Sequence, residues 1–159
     1  MADEVLIRET LESDWPILFE YQRDPLSSEM AGVPAREWDA YLALKQKIRA
    51  DETGLEWTIL YDGRIAGDLV SFVHDGRREI GYRIGREYWG MGIATRALAL
   101  FLDVERRRPL YGWVLEQNIG SQRVLEKCGF TVIGDEYAGG DHGIIFTLST
   151  PTDAANGSQ

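Results

Sequence analysis

The run Trp89-Gly90-Met91-Gly92-Ile93-Ala94-Thr95 constrains this chain more than any other segment. A strand-like stretch, Glu79-Ile80-Gly81-Tyr82-Arg83-Ile84, precedes it, and an apolar helix-like stretch from Ile93 to Val104 follows. A glycine turn leading from a strand into a helix exposes backbone N–H groups at the positive end of the helix dipole. That arrangement is a cradle for a pyrophosphate. Gly90 and Gly92 lack a Cβ, so the main chain can approach phosphate oxygens closely.

Around this junction the chain reads as short alternating elements. Val5 to Arg8 is a first strand, and Ser13 or Asp14 caps a helix from Trp15 toward Gln22, with Pro16 in its first turn. Asp24-Pro25-Leu26-Ser27-Ser28 reads as a break, and a second helix runs from about Ala35 to Ala50. Trp57 to Tyr61 and Ile65 to Val73 are strands joined at Asp62-Gly63, and Asp75-Gly76 turns into the strand ending near Ile84. The helix from Ile93 places Ile93, Ala97, Leu100, Phe101 and Val104 on one face, with Leu98 and Leu102 on the other. A strand at Leu110–Leu115, a helix opened by Asn118, and strands near 130–133 and 143–148 complete the pattern. Antiparallel strands early and crossover helices later imply one mixed α/β (α+β) domain over residues 1–150, with a polar tail at 151–159.

A second motif follows about twenty-five residues after the turn: Asn118-Ile119-Gly120-Ser121-Gln122-Arg123-Val124-Leu125-Glu126-Lys127-Cys128-Gly129-Phe130. Together the two segments resemble the GNAT acetyltransferases, which move an acyl group from a coenzyme A thioester to an amine. The family's loop reads Arg/Gln-x-x-Gly-x-Gly/Ala, which Trp89 to Ala94 fit except at the first position. Asn118 and the Lys127, Gly129, Phe130 ending match the following helix, and the details look most like the RimJ/RimL-type branch. The resemblance implies a central, mostly antiparallel sheet of six or seven strands flanked by about four helices. It also implies acetyl-CoA as co-substrate, held by Ile84, Trp89, Gly90, Met91, Gly92, Ile93, Ala94, Thr95 and Asn118. Two positions depart from the pattern. Trp89 replaces the usual Arg or Gln, and Leu125 stands where many members carry a tyrosine that protonates the departing thiolate.

An amine acceptor is protonated at neutral pH and must lose a proton before it attacks a thioester. Glu79, on the strand entering the loop, is the candidate general base, and the resemblance implies the same role. The alternative is a solvated glutamate paired with Arg77 or Arg78. Ser121 is a candidate thiolate proton donor, or else an ordinary helix-surface residue, and Asn118 is also a preferred N-cap. Gly81 and Gly85 suggest a bulge or a close backbone approach. Cys128 has no adjacent base to make it a nucleophile, and His142 reads as structural rather than catalytic. Trp38 and Trp89 are core residues by default, or else border a substrate cleft.

Composition narrows the partners. The chain has 159 residues, a net charge of −9, one cysteine and two isolated histidines, which give neither a disulfide framework nor a metal cluster. From Arg77 to Lys127 there are ten Lys/Arg and six Asp/Glu, a balance of +4, whereas the remainder has seven and twenty. The basic segment carries the phosphate turn, as a polyanionic cofactor requires, and the acidic remainder suits solubility or a cationic acceptor. Nucleic acid is disfavoured by the net charge. No apolar run approaches the ~18 residues of a membrane span, and the acidic Met1–Glu4 lacks a signal-like segment, so a cytoplasmic protein is expected. A homodimer is left open. Two other function classes compete: a binding module that senses acyl-CoA without turnover, and a dinucleotide oxidoreductase with Glu116 on a ribose. Thr95 in place of a third glycine argues against the latter.

Overall fold

The computed structural model describes residues 3–149, so the tail expected from Pro151 lies outside the described residues. Seven strands form one sheet: β1 (Val5–Glu9), β2 (Leu55–Tyr61), β3 (Arg64–His74), β4 (Arg77–Ile84), β5 (Leu110–Leu115), β6 (Thr131–Ala138) and β7 (Asp141–Leu148). Their order is β1-β2-β3-β4-β5-β7-β6, antiparallel throughout except for the parallel neighbours β4 and β5. Five helices flank it: α1 (Trp15–Arg23), α2 (Pro25–Ala31), α3 (Trp38–Ala50), α4 (Ile93–Val104) and α5 (Ile119–Lys127).

The helix α2 occupies the segment expected to be a break. Asp24 is its N-cap, accepting a hydrogen bond from the Leu26 N–H at 3.1 Å, and Pro25 takes the first helical position. Asp-Pro is therefore a start signal here rather than a stop. Gly32, at φ 73°, closes the helix in the left-handed conformation.

Each sheet face carries its own apolar cluster. On one, α4 buries Ile93, Ala97, Leu98, Phe101 and Leu102 against Ile59, Leu69, Ile80 and Phe146. The expected stripe is rotated: Leu100 and Val104 are exposed and Leu98 and Leu102 are buried. A helix apolar on most sides leaves its phase to the surface it meets. On the opposite face Trp15, Leu18, Phe19 and Tyr41 join α1 to α3. Behind them Lys45 lies 2.9 Å from Asp68 and 2.8 Å from Glu56. Burial acts to lower the Lys45 pKa, but these two carboxylates outweigh it and raise it.

Asp14 does not cap α1 with its side chain. The carboxylate points inward, taking two hydrogen bonds from Arg8 (2.7 and 3.0 Å) and one each from Thr58 (2.8 Å) and the Leu11 N–H (2.9 Å). It thereby ties β1, β2 and the entry of α1 together. Burial pushes this carboxyl up, but the Arg8, Leu11 and Thr58 hydrogen bonds outweigh it and hold the pKa below the usual range. Asp14→Asn should cost about 1–3 kcal/mol in urea unfolding at pH 7. The native pKa is depressed, so this contribution is complete above roughly pH 4 and fades as pH falls through the folded value. The gap between wild type and variant should therefore close in acid.

Candidate active site

β4 and β5 share one register pair, Glu79 with Tyr111, and beyond it they diverge with no further pairing among the described residues. A cleft of about 480 Å³ opens in the gap. One wall is β4 from Ile80 to Ile84 and the other is β5 from Gly112 to Leu115. The first turn of α4 and the start of α5 close one side of the sheet, and Ser27, Met30 and Ala31 of α2 close the other.

At the mouth, Gly90 and Gly92 adopt φ of 79° and 74°, a conformation that disfavours any residue with a Cβ. Gly92 is the N-cap of α4 and offers no side-chain cap, so the first-turn N–H groups face the cleft uncapped. Ideal Cβ positions at both glycines point into open space, so neither glycine is dictated by packing. Ile93, Ala94 and Thr95 line the cleft with them, whereas Met91 is not part of its wall and is 41% exposed. Trp89 locks the turn to the strand: its indole N–H donates to the Ile84 carbonyl at 2.8 Å. A ligand contact at that Ile84 oxygen would have to share it.

Gly81 in β4 and Gly85 just beyond its end have separate reasons. A Cβ on Gly85 would meet the Tyr21 ring at 2.6 Å, and Tyr21 is itself fixed by donating to the Ile65 carbonyl at 2.7 Å. Gly81 meets only Val70, at 3.4 Å, so its lack of a side chain keeps the cleft open between the side chains on either side of it.

Glu79 sits where the strands part and does not itself line the cleft. Strand alternation puts it on the same sheet face as Gly81 and Arg83. It is half-buried, and neither arginine named as its alternative partner pairs with it. Arg77 lies over the Tyr111 ring, and Arg78 turns to the other face toward Ser71 and Glu105. Its neighbour is His74, at 3.4 Å. Burial raises the Glu79 pKa, and His74 opposes that shift only in part.

Asn118 and Ser121 line the cleft, but their polar groups are engaged. Asn118 Oδ1 caps α5 by accepting from the Ser121 N–H at 3.1 Å, and its Nδ2 donates to the Met30 carbonyl at 3.0 Å. The Ser121 hydroxyl is paired with the Tyr82 hydroxyl at 2.7 Å. Burial pushes Tyr82 up to about 12, so it stays protonated. Leu125 is buried, packed 3.5 Å from the Cβ position of Gly112. Cys128 contacts the Thr95 carbonyl at 3.6 Å, and burial raises its pKa, which suits an inert thiol.

Sequence reasoning did not find Tyr82, Arg83, Trp113 or the α2 residues. Alternation along β4 carried the signal for Tyr82 and Arg83, which flank the gap on opposite faces. The α2 wall was hidden by reading Asp24-Pro25 as a break. The acidic excess does not reach the cleft either, since no carboxylate among the described residues lines it. His142 is held between Glu116 (3.0 Å) and Asp135 (2.6 Å), outside the cleft. With Glu116 so engaged, and the sheet mostly antiparallel, the dinucleotide reading fails. Among the described residues no His, Cys, Asp or Glu group is arranged to hold a metal, and no helix is long and apolar enough to cross a membrane.

No curated protein matches the sequence significantly. Among solved structures the fold is similar to a GNAT-family acetyltransferase from Bacillus anthracis, with 18% identity, TM-score 0.76, and coverage of 94% of this chain and 96% of that one. It is similar to the aminoglycoside acetyltransferase AAC(6′)-Ib in complex with coenzyme A, with 18% identity, TM-score 0.76, and 92% and 95% coverage. It is also similar to RimL, the ribosomal L7/L12 alpha-N-protein acetyltransferase in complex with coenzyme A, with 19% identity, TM-score 0.74, and 94% and 96% coverage. Residues 4–131 match the family described as the acetyltransferase (GNAT) domain, and the chain, an acetyltransferase by that match, belongs to this family.

Proposed function

We propose that the chain transfers the acetyl group of acetyl-CoA to a primary amine by direct attack within a ternary complex. The observation that carries this reading is the β4–β5 gap beneath the uncapped N-terminus of α4. The pyrophosphate rests on the main-chain N–H groups from Gly90 to Thr95, and the pantetheine arm enters between the diverging strands. The structures of AAC(6′)-Ib and RimL with coenzyme A support that choice of ligand.

The acceptor nitrogen loses a proton to Glu79 through an intervening water, since Glu79 lies beside the cleft rather than in its wall. A carboxylate whose pKa is raised by burial is the better base. The free amine attacks the thioester carbon, and the developing oxyanion takes hydrogen bonds from backbone N–H groups of the open strand. The C–S bond then breaks, the acetylated nitrogen gives its second proton to solvent, and the thiolate leaves with a proton. Leu125 has none to give, so the hydrogen-bonded pair Ser121–Tyr82 donates it and is reprotonated from solvent. No acyl-cysteine forms, because the Cys128 thiol is half-buried, protonated and tied to the main chain of α4.

A second reading, an acyl-CoA sensor without turnover, draws on Leu125, a buried hydrocarbon where an acid would stand. Release of free thiol from acetyl-CoA in the presence of amines separates the two. Gly92→Val places a branched side chain where the pyrophosphate sits and should weaken acetyl-CoA binding at least ~10-fold, or about 1.4 kcal/mol, by calorimetry. Unchanged binding to a folded variant removes the loop assignment.

Glu79→Gln should lower turnover roughly 10²-fold with acetyl-CoA affinity preserved. The raised pKa places the acid limb of the wild-type kcat/KM profile above the ordinary glutamate value of about 4.3. In the variant that limb should vanish, and the deficit should shrink as pH rises and free amine forms unaided. Wild-type turnover across pH would assign the base elsewhere.

A further inference from the structure

Among the described residues Arg83 is the only charged one in the cleft wall, and no carboxylate answers it there. Its register partner across β3 is Asp68, but that carboxylate is taken by Lys45 at 2.9 Å. The other acid whose field reaches Arg83 is Asp24, which is held by both ends of the Arg86 guanidinium. Arg36 adds a second positive charge near Arg83 and lies in no ion pair among the described residues. Among the described residues the Arg83 guanidinium makes one direct hydrogen bond, from Nη1 to the Ser27 hydroxyl. That neutral contact fixes the fork without neutralising it. A guanidinium cannot shed its charge in a protein, so its remaining donors call for an anion from outside.

Position says which molecule brings the anion. Glu79, Gly81 and Arg83 follow one another on one face of β4, about 7 Å between successive Cα atoms. The middle residue has no side chain, so a small molecule can lie over it. A nitrogen above Gly81 is flanked by the base on one side and the guanidinium on the other. The adjoining wall, Met30, Trp113 and Leu115, is uncharged. Trp113 is held rigidly over Gly143, where a Cβ would meet the indole at 2.1 Å, and its ring N–H is spent on the Glu136 carbonyl at 3.0 Å.

We propose that the acceptor is a small amino acid, a primary amine a few ångströms from a carboxylate and bearing an uncharged side chain, and that Arg83 binds the carboxylate. Polyamines and aminoglycosides bring cations to a wall that holds a cation and no acid. A peptide N-terminus brings an amide where the guanidinium calls for a carboxylate.

This inference rests on the acetyltransferase reading, and one experiment separates their failures. Thiol release from acetyl-CoA is followed with L-methionine and L-leucine, the corresponding amino acid amides, 1-aminoalkylphosphonates and spermidine. The amino acids should be acetylated with kcat/KM about 10- to 100-fold above their amides, the loss expected when a hydrogen bond to a charged group is removed. The phosphonates report whether the shared oxyanion or the planar carboxylate is read. Phosphonates outrunning the amino acids would overturn the carboxylate assignment. Arg83→Met should abolish the preference for acid over amide while leaving acetyl-CoA affinity intact, and Arg83→Lys should restore only part of it.

Spermidine or the amides outrunning the amino acids on wild-type enzyme would overturn the proposal, whether or not the variants fold. Should no amine turn over, titration of L-methionine into the acetyl-CoA-bound protein decides: no saturable binding, or binding unchanged in Arg83→Met, overturns it. Failure of the wild type to bind acetyl-CoA at all would instead remove the transferase reading beneath it.

Discussion

The parallel pairing of β4 with β5 is the constraint on which the rest depends. Neighbouring parallel strands cannot be joined by a hairpin, so the chain must cross over between them, and α4 is that crossover. The crossover starts where β4 ends, which brings the positive end of α4 to the mouth of whatever space the strands leave. Because the two strands share only one register pair, that space is a cleft through the sheet rather than a closed ladder. Its two sides then see different chemistry: uncapped main-chain N–H groups and Tyr82 with Ser121 on the α4–α5 side, Glu79 and Arg83 on the α1–α3 side.

Residues at the edge of the cleft do structural work that keeps it open. Tyr21 fills the place a side chain at Gly85 would take, and Trp89 pins the glycine turn back onto Ile84. Asn118 joins the start of α5 to the end of α2 through its two ends, so the walls contributed by these helices are tied to each other. Such contacts fix the geometry before any ligand arrives, which is what lets main-chain dipoles stabilise charge without reorganising. The same economy explains why Trp89 is acceptable where the family usually has a long polar side chain: in this chain the position is a strut.

The sheet, α4 and the glycine turn before it are legible because their signals are local. Glycines at left-handed turns, Asp-Gly hairpins and alternation along β2, β3 and β4 each point to one conformation. What stayed hidden depends on tertiary partners. The phase of α4 was misread because Leu98, Leu100, Leu102 and Val104 give it apolar residues nearly all round, and only the sheet decides which are buried. The partner of Glu79 was sought among Arg77 and Arg78, but pleating sends Arg78 to the opposite face and cross-strand geometry brings in His74 from β3. Arg83 carried no motif at all. Its meaning comes from Lys45 and Arg86, which occupy Asp68 and Asp24, and Lys45 and Asp24 are distant from it in sequence.

The central claim is that the β4–β5 cleft is where acetyl-CoA binds, held by main-chain groups. Amide resonances followed by heteronuclear NMR during titration with acetyl-CoA test it most directly. The account predicts the largest shifts at Gly90, Gly92, Ala94 and Thr95 and along Gly81–Ile84, with the β1–β2 pair unmoved. Shifts confined to other surfaces, or a saturable complex that leaves these amides unperturbed, would contradict it.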